Sequence, residues 1–131
     1  MNASKAKGTT WETEIKRALV DAGWRVYRNP AAGSADIGDI GGLEVAGIPV
    51  VVEAKAHSIA KFPAWLRELE KEMTNRGTNV GVVWAKRKGS TKAADGYVVL
   101  SGAGFMDLLG AWDRTTWPCT CERGVDPLLP L

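Results

Sequence analysis

The chain has 131 residues and a mass of 14.1 kDa, enough for one ordinary domain and too little for a second core of normal size. Hydrophobic residues make up 45% and charged residues 24%, with 15 Gly and only 6 Pro, so the chain can bury a core, which excludes a disordered segment. The net charge of +2 is unevenly placed: positions 1–92 carry 15 Lys and Arg against 10 Asp and Glu, a net of +5, while positions 93–131 carry 2 against 5, a net of −3. A mildly basic body of this kind suits a polyanionic partner such as nucleic acid.

Met1 to Lys7 is small and basic, has no apolar signal-peptide core, and is expected to be mobile. Trp11, Ile15, Ala18, Leu19 and Ala22 recur at helical spacing, so a helix is expected from Thr9 to the glycine stop at Gly23. Trp24 to Arg28 alternates like a strand with Trp24, Val26 and Arg28 on one face, and Asn29 to Ser34 reads as a loop. Ile37 to Leu43 and Pro49 to Lys55 form an expected antiparallel hairpin turning near Val45 to Gly47. Phe62 to Asn75 is a helix with Trp65, Leu66, Leu69 and Met73 on one side and Arg67, Glu68, Lys71 and Glu72 largely on the other, ended by Gly77. Val80 to Trp84 and Tyr97 to Leu100 are two further strands, separated by a basic loop, and Phe105 to Trp112 is a short closing helix. The domain is expected to span 1–112, with 113–131 an irregular tail. Cys119 and Cys121 in that tail are too close for a useful disulfide, and with the lone His57 they fall short of a zinc site's four ligands, so free thiols are expected. No apolar stretch approaches the roughly 20 residues of a membrane span, and a soluble, cytoplasmic protein is expected. The order α-β-β-β-α-β-β-α implies an α/β fold with a mixed central β-sheet flanked by helices.

Chemistry concentrates on Val50 to Lys55. Side chains alternate along a strand, so Val51, Glu53 and Lys55 share one face and Val50, Val52 and Ala54 the other. A hairpin centred on Ala46 sets Asp39 opposite Glu53 on the same face. Two carboxylates about 4 Å apart repel by roughly 4 kcal/mol at an effective dielectric near 20, and a divalent cation resolves that conflict. Asp36 competes for the role, but pairing it with Glu53 moves the turn away from Gly47, so Asp39 is preferred. A third acid comes from the first helix. Glu12 fits a capping box with Thr9, yet it also borders the apolar stripe and can look across at the sheet edge; Glu14 borders the opposite edge, and spacing alone does not choose between them.

Gly8-Thr9-Thr10-Trp11-Glu12 on a helix, Gly33-Ser34 in a loop, Gly38-Asp39-Ile40, and Val52-Glu53-Ala54-Lys55 together resemble the PD-(D/E)XK nuclease superfamily, especially the archaeal-type Holliday junction resolvases and their phage-encoded relatives. The resemblance implies a restriction-endonuclease-like core and a homodimer that hydrolyses phosphodiester bonds in branched DNA with Mg²⁺, for which Mn²⁺ can substitute. It assigns Asp39, Glu53 and Glu12 to the metal, Lys55 to the attacking water and Ser34 to the scissile phosphate. Gly38 stands where the superfamily more often has proline. Arg25, Arg28, Lys61, Lys86, Arg87, Lys88 and Lys92 are then expected to contact the DNA backbone. Trp11, Trp24, Trp65 and Trp84 are expected in the core or an interface, with Trp112 and Trp117 less constrained, and a dimer surface is expected on the sheet edge or around Trp65 and Leu69. The alternatives are a flap, replication-fork or restriction-type nuclease on the same core, and a catalytically inactive DNA-binding module.

Overall fold

Trp11 and Ile15, one helical turn apart, are only 2% and 0% exposed, and the layer they form against a sheet organises half of the molecule. A computed structural model of the protein describes residues 3–30, 35–57 and 61–116. Helix α1 is Ala3–Asp21, so it starts well before the expected cap at Thr9. Ala3, Lys5, Ala6 and Lys7 are good helix formers, and one Gly8 inside such a run costs only about 1 kcal/mol. Glu12 therefore lies inside the helix and is not a capping residue.

The strands are β1 (Tyr27–Arg28), β2 (Ile40–Gly41), β3 (Glu44–Val45), β4 (Ile48–Pro49), β5 (Val51–Lys55), β6 (Gly81–Ala85) and β7 (Tyr97–Val99). The main sheet has the order β1-β2-β5-β6-β7, with β5 and β6 parallel and the other neighbours antiparallel. A parallel pair needs a crossover, and α2, Phe62–Arg76, supplies it. Gly77 ends α2 in the left-handed region at φ 76°, donating its N–H to Met73 O at 2.8 Å.

Because side chains alternate along β5, Val52 joins Trp11, Ile15, Ile40 and Val82 on the α1 side, while Val51 joins Trp65, Leu69, Val83 and Ala85 on the α2 side. Two indole N–H groups knit the α1 layer to the sheet and the loop behind it: Trp11 Nε1 donates to Trp84 O at 2.9 Å, and Trp84 Nε1 to Ala93 O at 3.0 Å. The expected α/β architecture with a mixed sheet between helices is the observed one.

Several details differ from expectation. Ile40 pairs with Val52, the register expected for a turn at Ala46, but Val50 N–H bonds Leu43 O and Glu44 pairs with Pro49, one residue out of step. Gly41 and Gly42 thus share the place opposite Val51, and this bulge splits each expected hairpin strand in two. Gly42 sits at φ 85°, and a Cβ there would come within 2.7 Å of Arg25 O. At the tip, Ala46 and Gly47 both have positive φ, 54° and 79°, as a two-residue hairpin turn requires. Only Tyr27–Arg28 pair in the first strand, and Trp24 is 42% exposed rather than in the core. Helix α3, Gly102–Thr116, is longer than expected and continues past position 112. Trp65 and Leu69 are buried in this one chain, so they supply no spare dimer surface; exposed apolar area lies instead on α3, at Phe105, Met106, Leu109 and Trp112, and on β7, at Tyr97 and Val98.

Candidate active site

Gly38 determines where Asp39 goes. Its φ is 98°, and a Cβ there would lie 2.8 Å from Val51 Cγ1 and 3.0 Å from Val52 O, so the position admits glycine and excludes proline, whose ring fixes φ near −65°. Asp36 shapes the same turn by accepting the Gly38 N–H at 2.8 Å through Oδ1. Asp39 then donates its N–H to Val52 O at 2.8 Å, and its Oδ2 accepts the Ala54 N–H at 2.8 Å. The aspartate is thereby bound to both ends of the Val52-Glu53-Ala54 segment.

Glu53 follows Val51 onto the α2 side of β5 and is 8% exposed. Its carboxyl pKa is pushed up to about 10, first by burial, then by the hydrogen bond and charge of Asp39 and the charge of Glu72, against a smaller downward pull from Lys55. Lys55 Nζ stands 3.6 Å from Glu53 Oε2 and 2.7 Å from Glu68 Oε2 on α2. Burial works to lower the Lys55 pKa, but the Glu68 hydrogen bond and the charges of Glu53, Glu68 and Asp39 outweigh it, and the net shift is upward. Lys55 is a held, charged ammonium.

Glu12 reaches this group from α1. Its pKa is pushed up to about 7 by burial first and then by the hydrogen bond and charge of Asp39, with Arg28 opposing, and Arg28 Nη2 lies 3.4 Å from Glu12 Oε2. Glu14 is employed elsewhere: its Oε2 accepts the Ala93 N–H at 2.7 Å, and Arg17 binds it at 2.9 Å. The choice that spacing left open between the two glutamates is made by position, since only Glu12 couples to Asp39.

A fourth carboxyl was missed. Glu72, expected on the polar side of its helix, is 4% exposed, because it stands seven residues from Trp65 and three from Leu69 and so falls on the buried stripe. That spacing was the available signal. Neither Glu72 oxygen has a protein N–H or hydroxyl partner, and Glu53 can donate to it only while carrying a proton. Its pKa is pushed up to about 7 by burial first and then by the charge of Asp36, with Asp39 adding to the rise and Glu53 and Lys55 working the other way.

Among the described residues no three His, Cys, Asp or Glu side chains already stand in ion-holding geometry. The carboxyls of Glu12 and Glu53 instead hydrogen-bond to Asp39 and pair with Arg28 and Lys55 respectively. The donor chemistry nevertheless fits a hard cation: it is all oxygen, and the carboxyls are raised in pKa by burial first and by neighbouring carboxyls after it, costs that a bound cation would offset.

The family model described as archaeal Holliday junction resolvase (Hjc) matches residues 3–73, more than half of the chain and the whole stretch holding Glu12, Asp39, Glu53 and Lys55. The chain belongs to this family. No curated protein and no solved structure matches it. A resolvase family acts on branched DNA, and the basic residues expected to meet it fall into two groups. Lys86 donates its N–H to Lys55 O at 2.8 Å, so the loop of Lys86, Arg87 and Lys88 begins beside the site strand; with His57, Phe62 and Tyr97 it lines a cleft of about 220 Å³. Arg25, Lys61 and Lys92 are exposed, and Arg28 is turned to Glu12. A larger apolar cavity of about 490 Å³, bounded by Trp24, Val45, Leu108, Leu109 and Trp112, is lined by none of the clustered carboxyls. Ser34, Trp117, Cys119 and Cys121 lie outside the described residues. No helix among the described residues is long and apolar enough to cross a membrane.

Proposed function

We propose that this member of the resolvase family is a Mg²⁺-dependent endonuclease that resolves four-way DNA junctions by phosphodiester hydrolysis, with Mn²⁺ able to replace Mg²⁺. The observation that supports it most directly is the hydrogen-bonded carboxyl pair of Asp39 and Glu53, joined by Glu12 from α1 and by Lys55 on the same strand face as Glu53. Asp39, Glu53 and Glu12 would hold the ion. Bound there, it would supply a water of lowered pKa and positive charge against the crowded phosphate of the transition state.

The chain's own residues then divide the remaining work. Lys55, steadied by Glu68, stays protonated and orients the attacking water from the same face as Glu53. Lys86, Arg87 and Lys88, continuous with the site strand, and Arg25, Arg28, Lys61 and Lys92 offset backbone phosphates, which places DNA without reading its bases. Ser34 is assigned to the scissile phosphate on the family resemblance. The active unit is a homodimer, since one site of this size reaches one strand and resolution needs two opposed cuts.

End-labelled junction, flap, duplex and single-stranded substrates incubated with and without Mg²⁺ test this reading. Paired symmetric nicks in the junction, only with metal, are the expected result, and equal cutting of plain duplex refutes the junction assignment. Mixing wild-type protein with Asp39→Asn protein should give heterodimers that nick a supercoiled cruciform without linearising it. Full resolution by a protein that sediments as a monomer on junction DNA removes the dimer.

A further inference from the structure

Glu72 is an acid on an apolar stripe, 4% exposed. It occupies the buried stripe of α2 beside Leu69 and Trp65, where an apolar side chain of similar size would pack and an ionised carboxylate is penalised. Few of the contacts that normally keep such a group charged are present: no N–H or hydroxyl donates to either oxygen, and the hydrogen bond available to it comes from the protonated Glu53 carboxyl. The Lys55 ammonium, the cation whose field reaches it, is already engaged by Glu68 at 2.7 Å and Glu53 at 3.6 Å. The charges of Asp36 and Asp39 add to the cost of ionising Glu72, while the Glu53 carboxyl hydrogen-bonds to it. A buried carboxyl with no N–H or hydroxyl donor, in hydrogen-bond contact with Glu53 and within the field of Asp39, is where a cation would offset the charge, approached from the helix opposite Glu12.

We infer that Glu72 is a fourth carboxylate of the divalent-cation site, delivered by α2 onto the α2-facing side of Glu53. This rests on the metal-dependent reading above and extends it, since the four acids then come from four separate elements: α1, the turn before β2, β5 and α2. The site closes around the ion between both helix layers. With Glu72 on one side and Glu12 on the other, the ion is bound by the fold as a whole and not by the hairpin alone.

The test is Mn²⁺ binding without DNA, followed by isothermal titration and by the loss of the free-ion electron spin resonance signal. Wild type, Glu72→Gln, Glu72→Leu and Asp39→Asn are compared, and each is melted in the absence of metal. The expected result is Mn²⁺ affinity weakened about tenfold or more in both Glu72 variants, with metal-free melting temperatures equal to or above wild type. Glu72→Leu suits the apolar stripe and gives the answer should the Gln variant fold poorly. If wild type binds Mn²⁺, Asp39→Asn does not, and the Glu72 variants bind as wild type does, this inference falls and the metal-dependent reading stands. If wild type itself binds no Mn²⁺, both fall.

Discussion

Asp39 earns its place through two backbone hydrogen bonds to β5, while Glu53 is simply carried there by strand alternation. Asp39→Asn and Glu53→Gln should each reduce cleavage by about 100-fold or more while DNA binding stays equal or tightens, because each would remove a proposed metal ligand and neither adds a charge facing phosphate. Gel-shift and cleavage assays on the same preparations check this, and wild-type cutting by the Asp39 variant would exclude it from the site. Glu12 and Glu14 separate in the opposite sense. Glu12→Gln should lose at least about tenfold in rate with an unchanged or higher melting point, since a half-buried carboxyl near other carboxyls is relieved of its charge. Glu14→Ala should keep its rate and lose about 1 kcal/mol in urea unfolding, because the Ala93 N–H and Arg17 lose their acceptor. At this scale Asp39, Glu53 and Lys55 could be read from alternation and a turn position. Glu72 could not, because its charge argued for the solvent side while its spacing from Trp65 and Leu69 argued for the core.

Among the elements, the hairpin was legible at its turn and in the pairing of Ile40 with Val52 and illegible at the bulge between them. Alternating residues on both sides of Ala46-Gly47 define the register, and Ile40 does meet Val52. The extra residue at Gly41-Gly42 escaped notice because a bulge leaves the hydrophobic pattern of the outer strands intact and shows only as two small residues in succession. The start of α1 was misplaced for a related reason: Gly8-Thr9 resembles a helix boundary locally, and the helix formers before it override that signal. Ala46 is the described non-glycine residue with positive φ, at 54°, so the turn carries strain that its sequence does not need. Ala46→Gly should stabilise the protein by about 0.5–1 kcal/mol, read as a raised urea midpoint with unchanged slope. A lowered midpoint would show that the Ala46 methyl contributes more through the adjoining apolar cavity than its backbone costs.

For the whole molecule, the clustered acids set how stability responds to pH. Glu12 and Glu72, both raised to about 7 from an ordinary 4.5, hold protons in the folded chain that the unfolded chain has released. Their contribution is therefore complete below about pH 4.5 and is lost as pH rises through 7. Glu14, shifted downward, acts in the opposite sense and loses its contribution only on acidification below the carboxylate range. Chelator-treated protein should accordingly melt at a lower temperature at pH 8 than at pH 5, and Mg²⁺ at pH 8 should recover part of the difference. A flat or rising profile would contradict the buried-acid arrangement. The bond from the Ala54 amide to the Asp39 carboxylate makes possible a far more local readout. That proton is protected from solvent exchange by one side chain, so its deuteration rate measures how long Asp39 stays in position. In Asp39→Ala the Ala54 amide should exchange faster while the Val52 and Glu53 amides, buried on the same strand, keep their rates. A single peak in a nitrogen-labelled spectrum would then follow the loading of the site, with no probe attached and no substrate present.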